Sequence, residues 1–263
     1  MSVIVTGAAS GIGRATAFRL ARDAASRGGK PARILLADIA EDKLAEVASL
    51  LRAEGAHAEV CVSDLTDPTA PASVVEAAHR AFGGLDGLVS NAGIIGRASL
   101  LDLSLADYER SFAINTRATW LLAKAAHPLL AASKGSIVAT ASISAHEPTP
   151  PLGAYSASKA ALIMLVRQMA VEWGPDGIRC NTVSPGSTHT AMTDARYSDP
   201  VQRAAAAQRN PLRTVGLPEN QAAAIAFLLS PDAAYITGVD LLVDGGLSTM
   251  LMPASGFGDP WRR

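Results

Sequence analysis

Short apolar runs alternate with longer segments of helical period along almost the whole chain. The runs at 3–6, 33–37, 58–62, 87–90, 136–140, 179–183 and 241–243 read as strands, and several are apolar on both faces, as strands covered by helices must be. Between them, apolar positions recur at helical spacing over 12–26, 41–54, 71–82, 106–132, 152–173 and 218–229. Such strict alternation predicts an α/β fold: parallel strands joined by crossover helices in a doubly wound sheet, with helices on both faces. No repeat, low-complexity tract or linker divides the chain, which predicts one domain over 1–246 and a tail over 247–263.

Two further stretches depart from a minimal plan of this kind. The turn at 27–31 is longer than the fold requires and reads as a surface loop. From 186 to 218 no strand is visible, and Pro200, Pro211 and several polar residues break the helical pattern, as in lids and binding loops. The tail carries Met250, Leu251, Met252, Phe257 and Trp261 without a helical period. A disordered tail rarely holds so many large apolar groups, so it is expected to pack at a subunit interface.

Composition narrows the class. The 263 residues are 49% hydrophobic, 18% charged and 5% aromatic, with a net charge of −1. That balance argues against a basic nucleic-acid surface, and no apolar run approaches the roughly 20 residues of a membrane helix. The start, Met1 to Val5, shows no basic region, separate apolar stretch or cleavage site, so no signal peptide is expected. Cys61 and Cys180 each sit in an apolar strand and read as core thiols. The expectation is a cytoplasmic protein with neither a nucleic-acid nor a membrane partner.

Chemistry first shows at the end of the first strand, in Thr6-Gly7-Ala8-Ala9-Ser10-Gly11-Ile12-Gly13. Glycines there allow a tight turn and close approach of backbone N–H groups to a pyrophosphate, which the following helix N-terminus then faces. The turn makes the doubly wound sheet one of Rossmann type. Asp38 ends the second strand, where a carboxylate accepts hydrogen bonds from adenosine-ribose hydroxyls and repels a 2′-phosphate. The competing reading of Asp38 is a solvated residue or a cap for the helix beginning near Glu41. Neither Ala9 nor Ser10 is basic and no Arg or Lys immediately follows Asp38, so NAD is the expected cofactor.

Tyr155-Ser156-Ala157-Ser158-Lys159 places a phenol and an ammonium four residues apart on one helix face, thirteen residues beyond Ser142 at the carboxyl end of the fifth strand. Removing a hydride from a carbinol carbon requires the hydroxyl proton to leave too, and a free Tyr is a poor base at neutral pH. The Lys159 ammonium, with a positive nicotinamide ring, is expected to favour the phenolate, and Ser142 to hold the substrate oxygen.

The spacing T-G-x-x-x-G-x-G, with the Tyr-x-x-x-Lys pair and Ser142, resembles the short-chain dehydrogenase/reductase (SDR) family, and matches in order run from Thr6 to Gly246. The resemblance implies a cofactor set of Gly7, Ser10, Gly11, Ile12, Gly13, Asp38, Asp64, Leu65, Asn91, Ala92, Gly93, Tyr155, Lys159, Pro185, Gly186, Thr188 and Thr190. In it Asp64 holds the adenine amino group, Asn91-Ala92-Gly93 lines the cofactor, Pro185-Gly186 supports the nicotinamide and Thr190 contacts its carboxamide. Ser90 replaces the first Asn of the family's N-N-A-G motif. Asn115 corresponds to the residue that holds a water linked to the lysine; read structurally, it could instead bond backbone within its own helix.

The resemblance also places Ile94, Ile95, Ser144, His146, Leu152, His189 and Met192 near the substrate, with Ser142 and Tyr155. That lining suits a lipophilic or alicyclic secondary alcohol or its ketone. His146 and His189 are candidate hooks for a second polar group, and their bland reading is solvation. A homotetramer (or homodimer) is implied, and no metal is required. The rival readings are an NADP-dependent 3-oxoacyl-type ketoreductase, which Asp38 opposes, and a catalytically silent nucleotide-binding scaffold, which would not need Ser142, Tyr155 and Lys159 together.

Overall fold

In the computed structural model, residues 1–26, 28 and 30–250 are described; the tail residues Leu251 to Arg263, with Phe257 and Trp261, lie outside them. The strands are β1 (Ser2–Thr6), β2 (Arg33–Asp38), β3 (His57–Val62), β4 (Gly87–Ser90), β5 (Ser136–Thr140), β6 (Arg179–Pro185) and β7 (Asp240–Val243). The helices are α1 (Gly11–Ser26), α2 (Glu41–Ala53), α3 (Ala70–Phe82), α4 (Leu105–Phe112), α5 (Ala118–Ser133), α6 (Tyr155–Trp173), α7 (Asp194–Tyr197), α8 (Pro200–Arg209) and α9 (Pro218–Leu229). All seven strands pair in parallel in the order β3-β2-β1-β4-β5-β6-β7. This is the doubly wound α/β sheet that the alternation predicts.

Alternation of side chains along each strand divides the core in two. Val3, Val5, Ile34, Leu36 and Val138 pack on one face against Leu20 of α1, Leu44 and Leu51 of α2 and Ile225 of α9. Ile4, Leu35, Leu88 and Ile137 pack on the other against Val74 of α3, Leu122 and Leu130 of α5 and Leu162 of α6. Both faces of the central strands are therefore dry, which explains why they read as unbroken apolar runs. The edge strand β3 is different: His57, Glu59 and Val62 are exposed, and Cys61 is a half-buried free thiol. Cys180, in β6, is buried, and burial pushes its pKa up to about 12. No helix among the described residues is long and apolar enough to cross a membrane.

Three boundaries differ from the periodicity. The segment 106–132 is not one α-helix, because Ala113–Arg117 winds as a π turn between α4 and α5, with Ala118 N–H reaching Ala113 O. A wider turn of this kind does not disturb the apolar spacing enough to be read from it, and it is a device found at functional sites. The helix expected from 152 begins instead at Tyr155; Leu152 is half-buried in the preceding loop, where its apolar side chain imitates a helical position. The segment 186–218 contains α7 and α8 and an isolated parallel bridge between Thr188 and Gly216.

The order of the strands reverses between β1 and β4, so the carboxyl ends of these two strands open the crevice in which doubly wound sheets bind ligands. Ser90, the last residue of β4, is buried there and its hydroxyl meets that of Thr119 in α5 at 2.8 Å. The pair explains how the strand end accommodates a small hydroxyl where the family motif has Asn. Ser90→Ala is expected to cost about 1–3 kcal/mol, because it strands the Thr119 hydroxyl, while Ser90→Ala with Thr119→Val should recover most of the loss. Urea denaturation of the single and double variants checks this, and an equally unstable double variant would contradict it.

Candidate active site

The glycine turn is held together from three strands. Gly7 has a φ of +65°, open to glycine and strained for other residues. A Cβ on Gly13 would run into the carbonyl oxygen of Gly7, so the start of α1 approaches the strand end more closely than any side chain permits. Thr6 Oγ1 accepts the backbone N–H groups of Asn91 and Ala92 at 3.0 Å each. Asn91 Nδ2 donates to Thr6 O at 3.1 Å and lies 3.4 Å from Gly7 O, while its Oδ1 accepts from Thr140 Oγ1 at 3.0 Å. Asn91 thus joins β1, β4 and β5 at the switch point.

Around this turn the predicted cofactor residues gather at the carboxyl ends of the strands. Asp38 Oδ2 accepts the N–H of Ala9 at 3.1 Å and Oδ1 that of Ala40 at 3.1 Å. Asp38 therefore closes the glycine turn as well as the start of the α2 segment. Asp64 is exposed beside buried Leu65, and the Thr66 backbone and hydroxyl donors, both on Oδ1, hold its carboxyl below the usual range. Ser10, Gly11 and Ile12 open α1 and are half-buried. A Cβ on Gly11 would lie 3.4 Å from Thr190 Cβ, which brings the segment after β6 against the turn. That segment is pinned by Gly186 N–H on Val243 O at 3.1 Å, and by Thr188, whose hydroxyl donates to Gly186 O at 3.1 Å and accepts from Gln221 Nε2 at 3.2 Å. Thr190 N–H donates to Thr193 Oγ1 at 2.9 Å. Pro185 ends β6 and is buried.

The chemical groups converge beside Gly93. A Cβ there would stand 3.1 Å from Asn115 Oδ1 and 3.3 Å from Lys159 Nζ. Asn115, 1% exposed in the π turn, does not bond within its own helix. Its Oδ1 accepts Ile94 N–H at 2.9 Å, and its Nδ2 donates to Ile94 O at 3.1 Å and Ser158 Oγ at 3.0 Å. Both amide hydrogens are used to tie the strand-end loop to α6. Lys159, 4% exposed, donates from Nζ to Thr140 O at 2.7 Å and sits 5.9 Å from the centroid of the Tyr155 ring. Ser142 hydrogen-bonds the Tyr155 phenol and also accepts Ser144 N–H at 3.1 Å, so Ser142, Tyr155 and Lys159 form one group.

The electrostatics differ from the expectation in one respect. Burial pushes the Tyr155 phenol above its ordinary value, and the Ser142 hydrogen bond only partly opposes it. Burial also lowers Lys159 to about 8. In the protein alone, removal from water outweighs the Ser142 hydrogen bond, the one contact that lowers the phenol.

The substrate candidates are less uniform. Ser144 is buried, its hydroxyl 2.8 Å from that of Thr149. His146 Nε2 lies 2.6 Å from Asp240 Oδ2, and His189 Nε2 lies 2.9 Å from Asp194 Oδ1. On each ring only Nδ1 is left for a substrate. Ile94, Ile95 and Leu152 are half-buried and Met192 is exposed. Thr140 and Asp240 belong to this framework but carried no sequence signal beyond their positions near strand ends, and Thr6, which opens the glycine motif, gave no sign of its ties to Asn91 and Ala92.

Comparison with known proteins agrees with this geometry. A family model described as enoyl-(acyl carrier protein) reductase matches residues 7–248. The chain is 39% identical over 249 residues to a cis-4-hydroxycyclohexanecarboxylate dehydrogenase of Sinomonas cyclohexanicum, covering 94% of this chain and 96% of that one. It superimposes with a TM-score of 0.83 on a short-chain type dehydrogenase/reductase from Mycobacterium marinum, 32% identical, covering 94% of each chain. A Beutenbergia cavernae structure described as an NAD(P)-dependent gluconate 5-dehydrogenase, with NADP bound at low occupancy, gives 0.85 at 36% identity over 94% of this chain and 96% of that one. The chain belongs to the short-chain dehydrogenase/reductase family of oxidoreductases, which use nicotinamide cofactors.

The buried ammonium makes a stability prediction. Between pH 8 and 10.5 the unfolded chain still holds the Lys159 proton that the folded chain has released, so this group's contribution to stability rises with pH across that window. Below it, the buried charge costs about 3 kcal/mol, at 1.36 kcal/mol per unit. Lys159→Met is expected to be more stable than the natural protein by roughly 1–3 kcal/mol at pH 7, less a contribution from the stranded Thr140 carbonyl, with the gain fading toward pH 10. Urea titrations at both pH values check it; a variant no more stable at pH 7 would refute it.

Proposed function

We propose that the protein is an NAD-dependent dehydrogenase that moves a hydride between a secondary alcohol, lipophilic or alicyclic, or its ketone and the nicotinamide. The observation that carries the reading is the convergence of Ser142, Tyr155 and Lys159 at the carboxyl end of β5. The glycine turn fits a dinucleotide: the α1 N-terminus faces the crevice, and the approach of Gly13 to Gly7 leaves backbone, not side chain, along its floor. Asp38 supports NAD, since a 2′-phosphate would face its carboxylate and Ile39, the next residue, offers no positive charge. Apolar Ile94, Ile95, Leu152 and Met192 support the substrate class, as does the relative named for an alicyclic hydroxy acid.

Bound NAD supplies the hydride acceptor and a positively charged ring. Ser142 Oγ already accepts Ser144 N–H, so its one proton is free to go to the substrate oxygen or to the Tyr155 Oη beside it. Tyr155, having released its own proton to solvent once the charge of a bound nicotinamide favours the phenolate, takes the hydroxyl proton at Oη as the carbinol hydride departs, and returns it in the direction of reduction. Lys159, held by Thr140 O, keeps a positive charge beside the phenol at neutral pH. Asn115 fixes the strand-end loop at Ile94 and so holds Gly93 against Lys159. Exposed Leu105 and Tyr108 on α4, Trp120 on α5, and Met164 and Val171 on α6 support assembly as a homotetramer or homodimer, which light scattering reads directly.

A panel of secondary alcohols, assayed by NADH absorbance, tests the proposal. Tyr155→Phe is expected to lower kcat by about 10²- to 10⁴-fold while NAD affinity stays within about threefold. Activity within tenfold of the natural protein would refute the assignment of Tyr155. The same assay with NADP should give kcat/KM at least about tenfold lower, the effect of one unpaired like-charge contact. Preference for NADP, the cofactor bound in the Beutenbergia cavernae structure, would instead favour the NADP-dependent reading.

A further inference from the structure

A buried carboxylate lies beneath the turn that carries Ser142. The side chain of Asp240, the first residue of β7, is 2% exposed. Its Oδ1 accepts from Thr182 Oγ1 at 2.6 Å and Ser184 Oγ at 2.8 Å; its Oδ2 lies 2.9 Å from Ser184 Oγ and 2.6 Å from His146 Nε2. Thr182 and Ser184 stand two apart on β6, so their hydroxyls leave the same face of the sheet, and Thr182 is the register partner of Asp240. The remaining donor comes from 94 residues earlier in the chain. A carboxylate only accepts, so the facing Nε2 carries a proton.

His146 is also the closing residue of a short 3₁₀ turn, Ile143–Ala145, with its N–H on Ile143 O at 3.0 Å. Ser142 opens the same turn, accepting Ser144 N–H. Ahead of it, Ala141 N–H is anchored on Val183 O at 2.8 Å. The turn is therefore fixed to β6 at one end by backbone and to β7 at the other by a side-chain pair. Burying a carboxylate is a weak way to gain stability, because desolvation offsets what the pairing contributes. Its geometric effect is direct: without His146 the far end of the turn has no tie to β7 through Asp240.

We propose that His146 is a positioning residue: its pairing with buried Asp240 clamps the 142–146 turn so that Ser142 is held in register with Tyr155. This rests on the dehydrogenase reading above. In this role Nε2 serves the carboxylate and not the substrate.

The full-length protein and its His146→Leu, His146→Gln, Asp240→Asn and His146→Leu/Asp240→Asn variants are to be compared, with Tyr155→Phe as control, using NAD and the alcohol turned over fastest. His146→Leu is expected to lower kcat on the order of 10- to 100-fold, the effect of a misplaced reacting group, while KM for NAD stays within about twofold. His146→Gln, whose amide N–H can reach Asp240, should recover most of the loss, and the double variant should be no worse than His146→Leu. A His146→Leu enzyme with kcat within twofold of the natural one, or a loss that His146→Gln does not recover, overturns the clamp. Should His146→Leu fail to fold, the Asp240→Asn and His146→Gln pair decides: equal kcat in the two overturns it. Full activity in Tyr155→Phe sinks the underlying dehydrogenase reading instead. The pairing itself is then read without substrate, by proton NMR. A far-downfield imidazole N–H signal that vanishes in Asp240→Asn is expected, and its absence from the natural protein overturns the clamp.

Discussion

The ammonium of Lys159 is the group around which the carboxyl end of the sheet is arranged. Its contact with Thr140 O, 2.7 Å, joins α6 to the last residue of β5. An amine held 4% exposed in a mostly apolar layer loses hydration that one carbonyl does not replace, which is why its pKa falls to about 8. The surroundings are built to its dimensions. Gly93 leaves the room that a side chain would fill, Asn115 lines that space from the π turn, and Thr140 turns its hydroxyl the other way, onto Asn91. Through Asn91 the same residue reaches Thr6 and Gly7, so the catalytic candidates and the glycine turn share one continuous hydrogen-bond path.

That path explains which parts of the molecule are rigid by construction. β1, β4 and β5 are tied at their ends by side chains as well as by the ladder, whereas the segment after β6 is tied by Gly186 to β7, by Thr188 to Gln221 of α9 and by Thr193 within itself. A dehydrogenase needs the first region fixed, because hydride and proton transfer both depend on sub-ångström placement. It needs the second to admit and release ligands, and short helices such as α7, with only four residues, are easily rearranged.

Much of this was legible in the sequence because it follows from local rules. Strands buried on both faces, such as β1 and β2, are largely apolar and stand out as runs, and Thr6–Gly13 announces its turn by the steric needs of glycine. Tyr155 and Lys159 share a helix face by spacing alone. Other features are relations between distant residues and leave no periodic trace. The π turn at Ala113–Arg117 carries Asn115, whose side chain reaches across to Ile94 and Ser158, 21 and 43 residues away. Leu152 matched a helical pattern because it packs inward from a loop. The two histidines looked like free hooks since nothing nearby in sequence reveals Asp240 as a partner of His146, and the aspartate five residues past His189 is only one of several polar neighbours.

The electrostatics carry the largest difference between pattern and structure, and it bears on how such a site works. A Lys four residues from a Tyr suggests a phenol already poised to ionise. Instead, burial raises Tyr155 and lowers Lys159, so the water-poor site favours the neutral form of each. The Ser142 bond is the one protein contact that pulls the phenol down, and Ser142 is placed by a turn anchored at both ends. Under the proposed function, a phenol that ionises only when positive charge arrives with the oxidised nicotinamide stays protonated in the free protein. Proton removal is then coupled to the presence of a hydride acceptor, and the burial that opposes ionisation is what makes that added charge count, since a low-dielectric site magnifies it.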